Sequence, residues 1–286
     1  MKRLCIILTI AMCPLLLMAA GDTLRILCIG NSFSMDAVEQ ELLPMAEAEG
    51  VTLMVGDLYI GGCSLERHVN SIQQHIPDYT YNELRNGRHE AYEHVTSNEA
   101  LRKYDWDIVT MQQASHYSGM WETYEPWLGI LVDSVKTICP KAKIAWHMTW
   151  AYSKDSNHGG FRNYNCDQQE MYNRICVCAD KVMENYPFDL FIPVGKAVQK
   201  ARETKLGDTF CRDGFHLSFE YGRYLAACVW LQTLTGTKPH KCNNRLIPYY
   251  GNYWELRAVN SRDVRSQKTE CICRGVARKT VKDLKK

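Results

Sequence analysis

The sequence has almost no net charge, with 34 Lys and Arg against 32 Asp and Glu in 286 residues. This near-neutral balance argues against nucleic acid as the general partner, because nucleic-acid binding proteins use excess positive charge to meet phosphates. Repeats, low-complexity tracts and a long apolar stretch that would suggest a lipid-binding lid are also missing. The roughly 265 residues after the N-terminal segment can bury one large α/β core.

The first 21 residues have the pattern of a signal peptide. Two basic residues precede an apolar run at 4–17, and small residues follow at 19–21. The run is shorter than the about 20 apolar residues that a membrane-spanning helix needs. We therefore predict cleavage after residue 21, export to the periplasm or out of the cell, and no stable membrane anchor.

Cysteine spacing gives little support for a metal site. Of 13 cysteines, two lie in the predicted signal peptide and 11 follow it, so an oxidising compartment would leave at least one free thiol. The close pairs Cys176/Cys178 and Cys271/Cys273 are separated by one residue, whereas structural zinc sites usually place two to four residues between paired cysteines. We predict no metal and no organic cofactor.

Apolar strand-forming runs alternate with helical patterns along the chain, which predicts a parallel sheet with crossover helices. The five predicted strands are 24–29, 51–58, 106–111, 143–149 and 189–193. After the first strand we predict one helix from Asp36 to Glu49, with Asp36 as its N-cap. The polar, Tyr-rich segment 75–98 has no clear period and is interpreted as an insertion bordering the site.

The segment from Arg262 to Lys286 carries nine basic and three acidic residues and little periodicity. We interpret it as a solvated or partly disordered tail, in preference to a contact for an anionic polymer or membrane surface. The predicted organisation is therefore a signal peptide at 1–21, one domain at 22–260 and a basic tail at 261–286.

A serine near the start and an Asp-x-x-His near the end could form an acyl-transfer site. Ser32 follows the first strand in Gly-Asn-Ser-Phe-Ser, and Asp213 and His216 lie three residues apart in a glycine-containing loop before a helix. A serine hydroxyl needs a base to take its proton, and the base needs a partner that fixes its tautomer. We predict Ser32 as nucleophile, with Ser34 as its competitor, and a Ser-His dyad without Asp213 remains open.

These motifs, with a glycine after the second strand and a side-chain amide after the third, resemble the SGNH (GDSL-like) hydrolase superfamily. The motif sequences are most similar to a bacterial domain-of-unknown-function branch associated with carbohydrate degradation. The stretches are IGNSFS, LYIGGCSLERH, QQASHYSG, MTWAY and RDGFHLS...GRYLAA, within about residues 24–260. The resemblance implies a flavodoxin-like three-layer α/β/α sandwich with a five-stranded, mainly parallel sheet. Asn31 replaces the Asp of many members, and glutamine replaces the usual asparagine.

The resemblance also implies an oxyanion hole and a substrate class. We expect backbone N–H groups of Ser32 and Gly62 to supply two donors, and the side-chain amide of Gln113, with Gln112 as the alternative, to supply a third. Aromatic residues in loops on the same side of the sheet suit sugar rings, and those predicted to bind substrate are His116, Tyr117, Trp150 and Tyr152.

The predicted function is an exported serine esterase that removes acetyl or another small acyl group from carbohydrate. The alternatives are a lipase, thioesterase or acyltransferase with the same triad, and a non-catalytic carbohydrate-binding protein on a retired hydrolase scaffold. The oligomeric state does not follow from the sequence.

Overall fold

The structure is a computed structural model that describes residues 22–85, 88–240 and 266–284. The predicted signal peptide lies outside these ranges. Within them, no helix combines the length and apolar character needed to cross a bilayer.

Seven strands form one sheet in the order β4-β3-β2-β1-β5-β6-β7. They are β1 (Thr23–Gly30), β2 (Thr52–Tyr59), β3 (Tyr79–Arg85), β4 (Arg88–Val95), β5 (Ile108–Met111), β6 (Lys143–His147) and β7 (Leu190–Ile192). Five of them, in the order β2-β1-β5-β6-β7, run parallel and correspond to the five predicted strands. These strands are largely buried because helices cover both faces of the sheet.

The described helices are α1 (Ser32–Val38), α2 (Leu42–Ala48), α3 (Leu65–Gln74), α4 (Ser97–Lys103), α5 (Trp127–Ile138), α6 (Gln168–Asn185), α7 (Val194–Arg202), α8 (Gly222–Thr235) and α9 (Gln267–Asp283). One group of helices packs around α8 and includes α1, α2, α7 and α9, while α3, α4 and α5 pack together. The predicted three-layer α/β/α class is confirmed.

The strand order places a topological switch point between β1 and β5. From β1 the chain adds β2 on one side and then returns to add β5, β6 and β7 on the other. In such sheets a crevice opens outside the carboxyl ends of the strands where the order reverses. The residues that follow β1 and β5 therefore meet at this edge.

The predicted strand number is too low by two. The polar segment 75–98 contains an antiparallel hairpin, β3 and β4, that extends the sheet beside β2. The outer strand β4 is mostly exposed, so it lacks the apolar period that marks a strand in sequence. The predicted insertion is present, but β3 and β4 contribute no residue to the lining of the cavity described below.

The predicted first helix is divided in two, and its predicted N-cap is wrong. Helix α1 already begins at Ser32, and the cap is Asn31, whose side chain accepts a hydrogen bond from the backbone N–H of Phe33. Asp36 lies inside this helix and is 1% exposed. Its carboxylate accepts a hydrogen bond from the loop that carries His216.

The prediction of an irregular basic tail is also wrong. Helix α9 packs against α7 and α8 and buries Cys273, Ala277 and Val281. These residues are four apart and form one narrow apolar stripe on an otherwise polar helix. A stripe of this width is easily obscured by the nine basic residues around it.

Candidate active site

Ser32 lies where β1 ends and α1 begins, at the switch point of the sheet. Strand β1 ends at Gly30, Asn31 caps the helix, and Ser32 is the first helical residue. A Cβ at Gly30 would lie 2.5 Å from the Ser34 hydroxyl, so this sharp turn accepts no side chain at position 30. Ser32 is partly exposed, whereas Ser34 is buried.

The structure brings Ser32, His216 and Asp213 together across 184 residues of sequence. His216 Nε2 lies 2.8 Å from Ser32 Oγ, and His216 Nδ1 lies 2.6 Å from Asp213 Oδ2. The second carboxylate oxygen of Asp213 accepts hydrogen bonds from the backbone N–H groups of Phe215 and His216. The geometry allows Nε2 to take a proton from the serine hydroxyl while Asp213 orients the ring.

The carboxyl of Asp213 is held in its ionised form. Partial burial alone would raise its pKa, but the hydrogen bonds from the side chain and backbone of His216 and from Phe215 lower the pKa to about 2. Asp213 therefore carries a negative charge beside the imidazole at any pH near neutrality.

The loop that carries His216 is anchored by Asp36 of α1. The Asp36 carboxylate accepts hydrogen bonds from the backbone N–H of Leu217, from Arg212 at 3.1 Å to each oxygen, and from Arg223 of α8. Asp36 and Arg223 are both almost fully buried. Because α1 also begins with Ser32, the ion pair between Asp36 and Arg212 ties the histidine loop to the helix that carries the serine.

Two contacts from the loop after β6 hold the other side of the histidine loop. The indole N–H of Trp150 donates to Phe215 O at 2.7 Å, and the backbone N–H of Ser153 donates to Gly214 O at 2.8 Å. Gly214 has a φ of 89° and passes so close to Ser156 that a Cβ would lie 2.9 Å from its Cα. Trp150 also stacks on Phe33 of α1, with ring centroids 4.2 Å apart.

A cavity of about 380 Å³ opens over these groups. Its lining comes from the ends of β1, β2, β5 and β6 and from the histidine loop, and consists of Asn31, Ser32, Phe33, Met35, Tyr59, Gly61, Gly62, Ser115, His116, His158, Gly160, Arg212, Phe215 and His216. The loops after β5 and β6 touch at this wall, since a Cβ on Gly160 would lie 2.3 Å from His116 Cβ.

The four residues predicted to bind substrate have different positions. His116 lines the cavity, and Tyr117 packs beside it with ring centroids 4.0 Å apart but is not part of the lining. Trp150 and Tyr152 are fully buried and belong to the core, where Tyr152 shares a hydrogen bond with Ser115. Large aromatic side chains bury the most apolar area, and this favours the core for those that a loop can turn inward.

The structure does not bring either predicted glutamine amide to the cavity. Gln113 Nε2 donates to Thr123, and its Oε1 accepts from the backbone N–H groups of Leu65 and Ala114. Gln112 Nε2 donates to Asn31 at 2.8 Å. Both amides are therefore engaged in holding loops, and neither lines the cavity as the third oxyanion donor would.

Gln112 belongs to a chain of hydrogen bonds beneath the serine turn. His147 Nδ1 lies 2.7 Å from Gln112 Oε1, Gln112 donates to Asn31 Oδ1, and Asn31 Nδ2 donates to Cys63 O at 3.1 Å. Burial lowers the pKa of His147 to about 3, so its ring is neutral. Position 31 needs a donor and an acceptor at once, which an asparagine amide supplies and an ionised aspartate does not.

Gly62 lines the cavity at the turn that follows β2. Its φ is +62°, and a Cβ would meet no atom within 4 Å. The left-handed backbone conformation of the turn after β2, rather than close approach of neighbouring atoms, requires glycine here. Ser32 and Gly62 both border the cavity, so their backbone N–H groups remain the predicted oxyanion donors.

A hydrogen bond joins Ser34 to Asp57 of β2. Ser34 Oγ lies 2.7 Å from Asn31 O and 2.8 Å from Asp57 Oδ1, yet one hydroxyl proton can serve only one acceptor. A proton on Asp57 resolves this, because Asp57 then donates to Ser34 and Ser34 donates to Asn31 O. Burial raises the pKa of Asp57 to about 7, which favours this protonated form.

The ten cysteines of the described ranges are free thiols. Cys28 and Cys228 are fully buried, as their apolar sequence surroundings predict. Among the described residues, no three His, Cys, Asp or Glu side chains are grouped as a metal site would require.

Comparisons with known proteins identify relatives of this arrangement. The family model described as "Domain of unknown function (DUF4886)" matches residues 25–255. A crystal structure of a DUF4886 family protein from Bacteroides uniformis is 35% identical and has a TM-score of 0.79, over 91% of this chain and 95% of that one. Among curated proteins, none matches this chain.

More distant structures show how widely the fold is shared. A candidate SGNH hydrolase from Slackia heliotrinireducens is 23% identical with a TM-score of 0.52, over 74% of this chain and 99% of that one. A candidate GDSL-like lipase from Parabacteroides merdae is 15% identical with a TM-score of 0.50, over 74% and 95%. The predicted resemblance to a family of unknown function is confirmed, and the likeness to SGNH hydrolases is confirmed at the level of the fold.

Proposed function

The chain belongs to the DUF4886 family, and from this premise we propose that it is a serine esterase that removes acetyl or another small acyl group from carbohydrate. The observation that carries the proposal is the continuous contact from Asp213 through His216 to Ser32 at the mouth of the cavity. A serine within 2.8 Å of an imidazole that is itself oriented by an ionised carboxylate is the arrangement that acyl transfer needs.

In the proposed mechanism, Ser32 Oγ attacks the ester carbonyl carbon while His216 Nε2 accepts the hydroxyl proton. Asp213 keeps the proton of Nδ1 in place and stabilises the imidazolium that forms. The backbone N–H groups of Ser32 and Gly62 are the proposed donors to the oxyanion, and each such donor is typically worth about 3 kcal/mol. His216 then protonates the leaving alcohol, and water releases the acyl group from Ser32 by the same steps in reverse.

The shape and chemistry of the cavity support the proposed substrate class. Its volume of about 380 Å³ is near the lower end for small-molecule sites and leaves little room for a long acyl chain beside a sugar. Its wall combines aromatic faces with polar groups, including Tyr59, His116 and Phe215. Rings that offer a flat apolar face and polar edges are suited to sugars. Export remains part of the proposal and rests on the N-terminal sequence pattern.

The decisive experiment compares wild-type protein with Ser32→Ala on p-nitrophenyl acetate and on an acetylated oligosaccharide. We expect the variant to lose at least about 10³-fold in kcat, since the nucleophile of a triad contributes this much or more. Its melting temperature should stay close to that of the wild type, because Ser32 is partly exposed. Turnover that persists in Ser32→Ala would overturn the assignment.

Ser34→Ala is the matched control. Ser34 is buried and bonded to Asp57, so its loss should leave clear esterase activity. A chain-length series of p-nitrophenyl esters should favour acetyl, and a preference for octanoyl would indicate a lipase or thioesterase instead. Failure of an active-serine fluorophosphonate probe to label Ser32 would favour a carbohydrate-binding protein without catalysis.

A further inference from the structure

His158, in the loop after β6, presents a fixed hydrogen-bond donor to the cavity. Its Nδ1 accepts the backbone N–H of Gly160 at 3.0 Å and caps the short 3-10 helix Gly159–Tyr164. A neutral imidazole has one N–H, so an accepting Nδ1 leaves the proton on Nε2. Nε2 makes no hydrogen bond to any described residue, and His158 lines the cavity.

Three neighbours hold the ring in place. The centroid of the His158 ring lies 4.7 Å from that of Phe215, 4.9 Å from that of Tyr152 and 6.1 Å from that of His116. Tyr152 is fully buried, so one side of the histidine rests on the core. The direction of Nε2–H is therefore set before any ligand arrives.

His158 lies on the side of the cavity where the leaving group departs. The base of an acyl-transfer triad returns its proton to the leaving oxygen, so the alcohol portion of an ester must lie next to that base. Phe215 packs on both imidazoles, with its ring 4.1 Å from that of His216 and 4.7 Å from that of His158. The oxyanion donors proposed above come instead from the ends of β1 and β2.

We propose that His158 is a substrate-binding residue for the alcohol portion of the ester, donating its Nε2–H to a hydroxyl or ring oxygen of a sugar. This inference rests on the proposed esterase function and adds to it which part of the substrate is recognised and by which atom. A leaving group that has no oxygen near the broken bond other than the leaving oxygen itself, such as p-nitrophenol, gains nothing from this donor.

A neutral donor suits this position because His216 becomes positively charged during the reaction. Burial lowers the pKa of His158, and the neighbouring His216 lowers it further, so His158 stays uncharged near neutral pH. A cation at the same place would oppose formation of the His216 imidazolium, whereas an imidazole N–H binds the sugar without that repulsion.

His158→Asn tests the proposal while keeping the loop capped. An asparagine oxygen can accept the Gly160 N–H as the histidine does, but its amide is too short to donate where Nε2 lies. We expect kcat/KM for an acetylated xylo-oligosaccharide, relative to that for p-nitrophenyl acetate, to fall about 5- to 10-fold, as loss of one hydrogen bond implies. The change should appear mainly in KM. Asn157→Ala, at the exposed neighbouring position, should leave the ratio at its wild-type value.

Equal losses on both esters in His158→Asn would overturn the proposal, because they would indicate a role in the loop or at the acyl group. A second readout does not depend on turnover. In Ser32→Ala protein with ¹⁵N-labelled histidine, the His158 Nε2 resonance should have the shift of a protonated nitrogen and should move when the sugar ester is added. No movement at saturating sugar ester would also overturn it. Fluorophosphonate labelling of Ser32 in the wild type tests the esterase function separately.

Discussion

Two turns meet at the cavity, and they are held by different forces. The turn at 31–34, which carries the serine, is fixed by uncharged hydrogen bonds that run from His147 through Gln112 and Asn31 to Cys63 O. The loop at 212–217, which carries the histidine, is fixed by buried charge, with Asp36 between two arginines. Burial raises the pKa of Asp57, the acid beside the first turn, to about 7, whereas hydrogen bonds lower the pKa of Asp213 in the second to about 2.

Because of this difference, the two turns should tolerate different substitutions. An uncharged network depends on matched donors and acceptors, so a wrong residue leaves one or two polar groups unsatisfied. A buried ion pair is stable only while both charges are present, so loss of one member leaves an uncompensated charge in the core. The histidine loop should therefore be the more sensitive of the two to a single substitution, and the serine turn the more sensitive to pH.

The largest expected effect follows from Asp36→Asn. Arg223 is fully buried and would lose the carboxylate that it contacts, and removing one member of a buried ion pair typically destabilises a protein by about 3–5 kcal/mol. The histidine loop would also lose its tie to α1, so esterase activity should fall beyond what unfolding explains. Urea unfolding monitored by tryptophan fluorescence measures the first effect, and assays well below the unfolding midpoint measure the second.

Asp180→Asn is the control for this variant. It removes one carboxylate of an exposed ion pair with Lys196, and such pairs contribute at most about 1 kcal/mol. If the two variants unfolded at the same urea concentration, the buried charge would not be the anchor that we describe.

A smaller effect is expected from substitutions of Asn31 in the serine turn. Asn31→Ala removes the helix cap and leaves Gln112 Nε2 without its acceptor, which we expect to destabilise the protein by about 1–3 kcal/mol. Asn31→Asp keeps the cap but places a carboxylate oxygen against Cys63 O, where the amide now donates. Thermal unfolding should show both variants below the wild type. An aspartate variant as stable as the wild type would show that the donor at this position is dispensable.

A different kind of effect, a change in pH dependence rather than in stability at one pH, is expected on replacing Asp57. Because the folded-state pKa of Asp57 is raised to about 7, the folded protein holds a proton that the unfolded chain releases near pH 4. Its contribution to stability is complete below that pH and is lost as pH rises towards and through 7. Asp57→Asn has no proton to lose, so its melting temperature relative to wild type should rise between pH 5 and pH 8.

Glu39, the C-cap residue of α1, makes the relative measurement necessary. Burial raises the pKa of this carboxyl to about 8, so it changes its protonation in an overlapping range. Because the charge of Asp57 also raises the pKa of Glu39, the comparison is made between Glu39→Gln and Glu39→Gln/Asp57→Asn proteins, neither of which carries that carboxyl. A difference in melting temperature that stays constant from pH 5 to pH 8 would mean that Asp57 is ionised throughout.

Several features were predictable because they depend on short stretches of sequence. The five parallel strands follow from apolar runs bounded by glycine and polar residues, and the Asp-x-x-His spacing lets one loop orient its own imidazole. The hairpin of β3 and β4 was missed because an exposed strand beside the sheet has no apolar alternation. Helix α9 was missed because its buried face, which includes Glu270 and Thr280, is only partly apolar.

The errors at the site have a common origin. Gln112 and Gln113 follow a central strand, as an oxyanion donor should, but partners from the turn after β1, from α3 and from the following loop occupy their amides. Trp150 and Tyr152 lie in the expected loop, yet their side chains turn into the core. His158 was not singled out, since an isolated histidine gives no sequence signal until its Nδ1 contact and its place in the cavity are known.

The sequence by itself determined the five parallel strands, the position of Ser32 just after the first of them and the local pairing of Asp213 with His216, because each depends on a short stretch of chain. The tertiary structure alone decided which polar side chains face the cavity and which form the hydrogen bonds that hold its walls in place. A buried amide or carboxylate takes whatever partner the packed strands and helices bring within hydrogen-bond distance, and residues far apart in sequence supply that partner.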